Sequence, residues 1–199
     1  MTAVKERLDL VARFPELDMI KDRALRDAVA KLWDELWEMS EFQNLNDVPI
    51  SPGKPYPEIK HCQGVLRVAL AVAGVLEEVH GVHFDRDILI AGALLMDVGK
   101  FVELKPKAGG GVQETELGRA LPHALYAAHR ALQLGVPLSV VHIITTHSRN
   151  QGKPPNTPEC ALLDWIDQVD LVASGMDSWA RKLVFYHSPA KEPANRAKA

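Results

Sequence analysis

Four side chains are polar groups set on otherwise apolar helix faces. His61 precedes Val65 and Val68 at i+4 and i+7, so its imidazole points along an apolar stripe. Asp97 follows Ile90, Ala93 and Leu94 at i−7, i−4 and i−3, a stripe with no other charge. His147 stands in the same relation to Val140, Ile143 and Ile144, and Asp167 lies between Leu163 and Leu171. Asp164 and Asp170 have more polar neighbours at those spacings. A carboxylate on an apolar face costs several kcal/mol unless it is paired or bound to a metal. Convergence on a cation is the economical explanation for such a set; the alternative is a hydrogen-bonded polar core without an ion. Imidazole with carboxylate suits Mn, Fe, Zn or Co, and a carboxylate-rich site shades toward Mg.

The elements that must position these groups read as helices almost throughout. Leu25, Val29, Leu32, Trp33, Leu36 and Trp37 recur at three- and four-residue steps, predicting a helix from about Lys21 to Glu41. The segment from Asn44 to Pro57 carries four prolines and a Ser-Pro-Gly turn, and reads as a linker across the surface. A helix is expected from Glu58 to His80, with Gly81 ending it, and another after Asp85 through to Gly99. The triple glycine of LKPKAGGGVQET predicts a mobile loop. Further helices are expected over residues 116–134 and 137–147, then from Pro158, capped by Thr157, to Ser174. A last helix would cover Asp177 to Tyr186, before a frayed tail. The expected fold is all-α: a helical N-terminal extension with its Pro-rich linker over 1–57, one helical domain over 58–187, and the tail 188–199.

With 47% apolar and 25% charged residues in 199, the chain has the composition of an ordinary soluble globule. A net charge of −3 excludes nucleic-acid binding through an overall basic surface. Val65 to Leu76, the most apolar stretch, is short for a membrane span and is interrupted by Arg67. The opening MTAVKERLDL lacks the apolar core of a signal peptide. Cys62 and Cys160 are too few for a disulfide framework and read as buried, inert thiols in a reducing cytoplasm. A cytoplasmic protein with no membrane or nucleic-acid partner is expected. A homo-oligomer is left open, with Trp33 and Trp37 serving as packing or as a dimer surface.

The segment Leu94-Leu95-Met96-Asp97-Val98-Gly99-Lys100 resembles the central motif of the HD metal-phosphohydrolase superfamily, a His-Asp pair followed by Gly-Lys. By that resemblance His61 corresponds to the family's first histidine, Asp97 to the aspartate of the pair and Asp167 to the distant aspartate. His123 and His147 match the two intervening histidines of members with two metals. Ile143 to Ser148 resembles their fourth-helix motif. Ala161 to Asp170 resembles their last ligand helix, which often carries a second acid three residues on. The likeness covers roughly residues 58–175. It departs at one position: the histidine of the pair is Met96, and a thioether is a poor ligand for hard divalent ions. The resemblance therefore implies one complete set, Asp97 with His123 and His147, and one incomplete set, His61, Asp97 and Asp167. One or two divalent ions (Mn, Mg, Fe, Co or Zn) are implied.

The function so implied is metal-dependent hydrolysis of a phosphate ester, on a nucleotide or another small phosphorylated metabolite. Asp97 would bridge ions or orient water, while Lys100 and Arg149 would neutralise phosphoryl charge. Lys105, Lys107, Arg149 and Lys153 fall on the two loops that would border the pocket mouth. Two other readings stand beside this one: an HD-type iron-dependent oxygenase, and a non-catalytic anion-binding module that lost part of its metal site. His80 and His83 read as a solvated turn, and His129 and His142 as core or surface groups.

Overall fold

The fold is taken from a computed structural model of the chain and is described for residues 4–147 and 154–174. The helices are α1 (Leu10–Arg13), α2 (Arg23–Met39), α3 (Glu58–His80), α4 (Arg86–Leu95), α5 (Lys100–Glu103), α6 (Glu116–Ala120), α7 (His123–Gln133), α8 (Leu138–Thr146) and α9 (Pro158–Ser174). Two 3-10 turns, Pro15–Met19 and Leu45–Asp47, join them. Two short antiparallel ribbons complete the fold: β1 (Pro49–Ser51) with β2 (Lys54–Pro57), and β3 (Leu104–Pro106) with β4 (Val112–Glu114). The architecture is all-α.

Helix boundaries follow local chemistry. Asp22 caps α2 by accepting from the amides of Ala24 and Leu25, and Asp85 caps α4 through those of Asp87 and Ile88. Thr157 Oγ1 accepts from Cys160 N at the start of α9. Gly81 ends α3 in the left-handed conformation, φ 67°.

α4 is buried on every side from Leu89 to Leu95 and packs against α2, α3, α8 and α9. A helix apolar all round belongs at the centre of its domain. By length and composition α3 would suffice to cross a bilayer, but it packs against α4 and α9. The N-terminal residues share the same core. Phe14 packs tilted against Trp33, and Trp33 and Trp37 both meet Phe101 of α5, with centroids 5.1 to 5.7 Å apart. Such pairs each contribute roughly 0.5–1.5 kcal/mol beyond their buried area. Trp33 Nε1 also donates to Leu94 O at 2.8 Å, fixing the end of α4 from behind. Both tryptophans are thus packing residues.

Three segments differ from expectation. Residues 44–57 form a 3-10 turn and a hairpin, because Leu45, Val48 and Ile50 turn inward between the prolines. The Gly-rich loop is the turn of the β3–β4 hairpin; Gly109, Gly110 and Gly111 all have positive φ, which lets the chain reverse. The predicted helix over 116–134 is split at Leu121–Pro122 into α6 and α7, since Pro122 lacks the amide that would continue it. The helix expected at Asp177–Tyr186, the tail from Ser188, and Arg149 and Lys153 lie outside the described residues.

Candidate metal centre

α3 brings Glu58 and His61 to one face, three residues apart. The turn leaving α4 brings Asp97, and α5 brings Lys100 and Glu103. His123 opens α7, His147 closes α8, and Asp167 and Asp170 lie on α9. Close approach of these elements depends on two glycines. A Cβ on Gly99 would overlap the backbone carbonyl of His123, and one on Gly64 would overlap the Asp170 carboxylate. His61, Asp97 and Glu58 are essentially sealed, at 1%, 2% and 1% exposure.

Asp97 is the hub. Its Oδ1 accepts from Lys100 Nζ at 2.7 Å and lies 3.3 Å from Nε2 of both His123 and His147. The two Nε2 atoms are 3.2 Å apart. Its Oδ2 lies 3.4 Å from His61 Nε2 and has no hydrogen-bond partner. Burial alone would raise this carboxyl; Lys100 first, then the two histidines, outweigh it and hold Asp97 well below the ordinary carboxylate range.

The outer nitrogens of these histidines are fixed by acceptors. His147 Nδ1 faces Ile144 O at 2.8 Å, and a carbonyl can only accept, so Nδ1 donates and the neutral ring presents a bare Nε2. His123 Nδ1 faces both Glu103 oxygens at 3.1 to 3.2 Å, and Glu103 also accepts from the His123 amide. Two bare Nε2 lone pairs and a carboxylate oxygen then point at one another at 3.2 to 3.3 Å, which is repulsive without a cation among them. The donor set therefore fits a divalent metal, with Glu103 and Ile144 O orienting its ligands. Without metal a proton takes that place. Burial lowers the His123 pKa, but hydrogen bonds to Asp97 and Glu103 raise it further, to about 9.

On the opposite side His61 Nδ1 meets Asp170 Oδ2 at 2.7 Å, and Nε2 meets Asp167 Oδ1 at 3.0 Å. Against burial, these carboxylates and Asp97 push the imidazole up to about 12. Lys100 bridges Asp97 and Glu58 Oε2, the latter at 2.9 Å, and these neighbours hold its pKa above the usual lysine value despite burial. Burial pushes the Glu58 carboxyl up, and Lys100 offsets this only in part. Among the described residues, two trios have ligand atoms within 4.8 Å of one another: Asp97, His123 and His147, and Glu58, His61 and Asp97.

His61, Asp97, Lys100, His123, His147 and Asp167 form the floor of a cavity of about 330 Å³. Its mouth is made by Ile50, Ser51 and Lys54 of the β1–β2 hairpin and by Gln168 and Leu171 of α9. The size suits a small metabolite.

His61, Asp97, His123, His147, Asp167 and Lys100 converge here as the sequence suggested, while Arg149 is outside the described residues. His80, His83 and His129 are exposed, and His142 lines a separate cavity with Leu138 and Thr157. Cys62 and Cys160 are buried, and burial raises both thiols. Met96 is buried in the apolar core. Glu58 and Glu103 were missed from sequence, although the Glu-x-x-His spacing of 58 and 61 is a recognisable ligand pattern.

A dihydroneopterin 2′,3′-cyclic phosphate phosphodiesterase from Methanocaldococcus jannaschii is 33% identical over 113 residues, 56% of this chain. The match spans 45% of that relative's length. No solved structure matches the chain. The HD domain family profile matches residues 59–171, and the residues that meet around Asp97 fall within or beside that span. The chain belongs to the HD domain family.

Proposed function

We propose that the protein is a metal-dependent phosphohydrolase acting on a phosphate ester of a small metabolite or nucleotide. The observation that carries this reading is the meeting of three acceptors, Asp97 Oδ1 and the Nε2 atoms of His123 and His147, at 3.2 to 3.3 Å in a cavity floor. These three would hold a divalent ion, with His61 and Asp167 on the other side of Asp97 available to another. Bound metal would supply Lewis acidity toward the phosphoryl oxygen and acidify water at the site.

The chain's own groups do the rest. Asp97 fixes the ligand set through both its oxygens. Lys100, locked between Asp97 and Glu58, presents a positive charge at the cavity floor that stabilises charge developing on the phosphoryl group. Lys54, exposed at the mouth, meets the remaining negative charge of the substrate. The β1–β2 hairpin and α9 form the walls above the floor. Family membership supports the hydrolase class, and the name of the archaeal relative makes a cyclic phosphodiester of a small metabolite the first substrate to try.

The test is turnover by metal-stripped protein reloaded separately with Mn, Mg, Co, Fe or Zn, against phosphate monoesters and 2′,3′-cyclic phosphodiesters. Turnover that disappears in Asp97→Asn is expected. Absence of turnover above that variant for every metal and ester would contradict the reading.

A further inference from the structure

Four buried side-chain polar atoms lack a hydrogen-bond partner among the described residues, and two of them belong to this centre: Glu58 Oε1 and Asp97 Oδ2. Buried carboxylate oxygens left unpartnered are expensive, so each calls for an ion or water. The usual reason for a glutamate at the first residue of a helix is the helix dipole, but that role is played at the surface. Glu58 is 1% exposed, and its backbone amide is tied to Val48 O at 2.8 Å.

Lys100 does not satisfy these atoms. Its ammonium holds the opposite oxygens, Glu58 Oε2 and Asp97 Oδ1, and so pins both carboxylates with their free oxygens turned away from it. His61 Nε2 lies 3.4 Å from Asp97 Oδ2, and one nitrogen or carboxylate oxygen from each of the three residues falls within 4.8 Å of the others. Asp170 accepts from His61 Nδ1, the outer contact that leaves Nε2 as the inward ligand atom. His61 Nε2 also meets Asp167 Oδ1 at 3.0 Å, so a cation that takes the place of its proton would satisfy Glu58 Oε1, Asp97 Oδ2 and Nε2 together.

We propose that Glu58 is a ligand of the second ion, beside His61 and Asp97, and supplies an oxygen where Met96 offers only a thioether. Two carboxylate oxygens and one imidazole favour a hard ion such as Mn or Mg. Asp97 bridges this ion and the one held by His123 and His147. The inference rests on the metal centre of the proposed function and adds Glu58 to the ligands of its second ion.

The test is Mn(II) titration of the metal-stripped full chain by equilibrium dialysis, with electron paramagnetic resonance of each state. Two Mn(II) per chain are expected, magnetically coupled through the Asp97 bridge. Glu58→Gln should bind one, with an uncoupled spectrum. Glu58→Asp keeps the charge and the Lys100 partner but withdraws the ligand oxygen, and so guards against misfolding of the amide variant. In it the second ion should weaken about tenfold or more while the first is unchanged, as for loss of a ligand contact. A wild-type chain that binds one ion overturns the inference and leaves the proposed function standing. Two coupled ions in Glu58→Gln, or an unaltered second affinity in Glu58→Asp, overturn it as well. No bound Mn(II) at all overturns it too, while the proposed function stands or falls on turnover with the other metals.

Discussion

The two sides of Asp97 serve one carboxylate by different means. On the His123–His147 side, the rings stand at the start of α7 and the end of α8, each with its outer nitrogen committed to an acceptor. On that side the positive charge without metal is one proton on His123 and the shared contact with Lys100. On the Glu58–His61 side, carboxylates outnumber imidazoles, and Lys100 and the strongly basic His61 already neutralise part of the charge. The imidazole side therefore gains most from a metal and should fill first. The carboxylate side must give up a proton from His61 before it accepts an ion, and should fill second.

The largest expected effect comes from the residue common to both. Asp97→Asn should lower kcat/KM by about a thousandfold or more, roughly 4 kcal/mol of transition-state stabilisation, and should weaken both ions. Steady-state kinetics beside metal dialysis check this; loss of one ion only would break the symmetry assigned to Asp97. Next comes stability. Metal at about a hundredfold over its dissociation constant should add about 3 kcal/mol, and chelation should lower the melting temperature by roughly ten degrees in a chain of this size. Identical melts with and without EDTA would reduce the centre to a polar core.

Outer contacts separate the two sides. Glu103→Gln should weaken only the ion held by His123, and Asp170→Asn only the ion held by His61, each by about 10- to 100-fold. Mn(II) titration of both variants reads the difference, and equal effects on both ions would erase the distinction between sides. The smallest effect is in pH. Metal must displace the proton that His123 otherwise keeps up to about 9 and the one that His61 keeps up to about 12. Affinity of the first ion should rise by up to about tenfold per pH unit and level off above about pH 9, while that of the second keeps rising. Titrations at several pH values check the two slopes; slopes that flatten together would contradict the assignment.

Much of this centre was legible in the residues, and the reasons differ by position. Asp97, His147, His61 and Asp167 betray themselves as polar groups on apolar stripes, and His123 entered only through likeness to the HD pattern. Asp170 sits among polar neighbours and hides its contact with His61. Glu58 is disguised by its place at a helix start, where an acid needs no further explanation. Glu103 follows the Asp97 turn in a four-residue helix too short to show a periodic face. Helices longer than about two turns were readable from spacing and caps. The hairpins were not, because strands of three or four residues containing Pro49, Pro55, Pro57 or Pro106 carry no alternation. The β1–β2 hairpin matters to function, since Ile50, Ser51 and Lys54 shape the mouth.

The most direct test of the central claim is the anomalous scattering of zinc in crystals of the metal-stripped protein soaked with Zn²⁺. A peak is expected about 2.0–2.2 Å from Asp97 Oδ1 and from the Nε2 atoms of His123 and His147 together. A map with no peak there, and the three groups joined only by hydrogen bonds, would contradict the account.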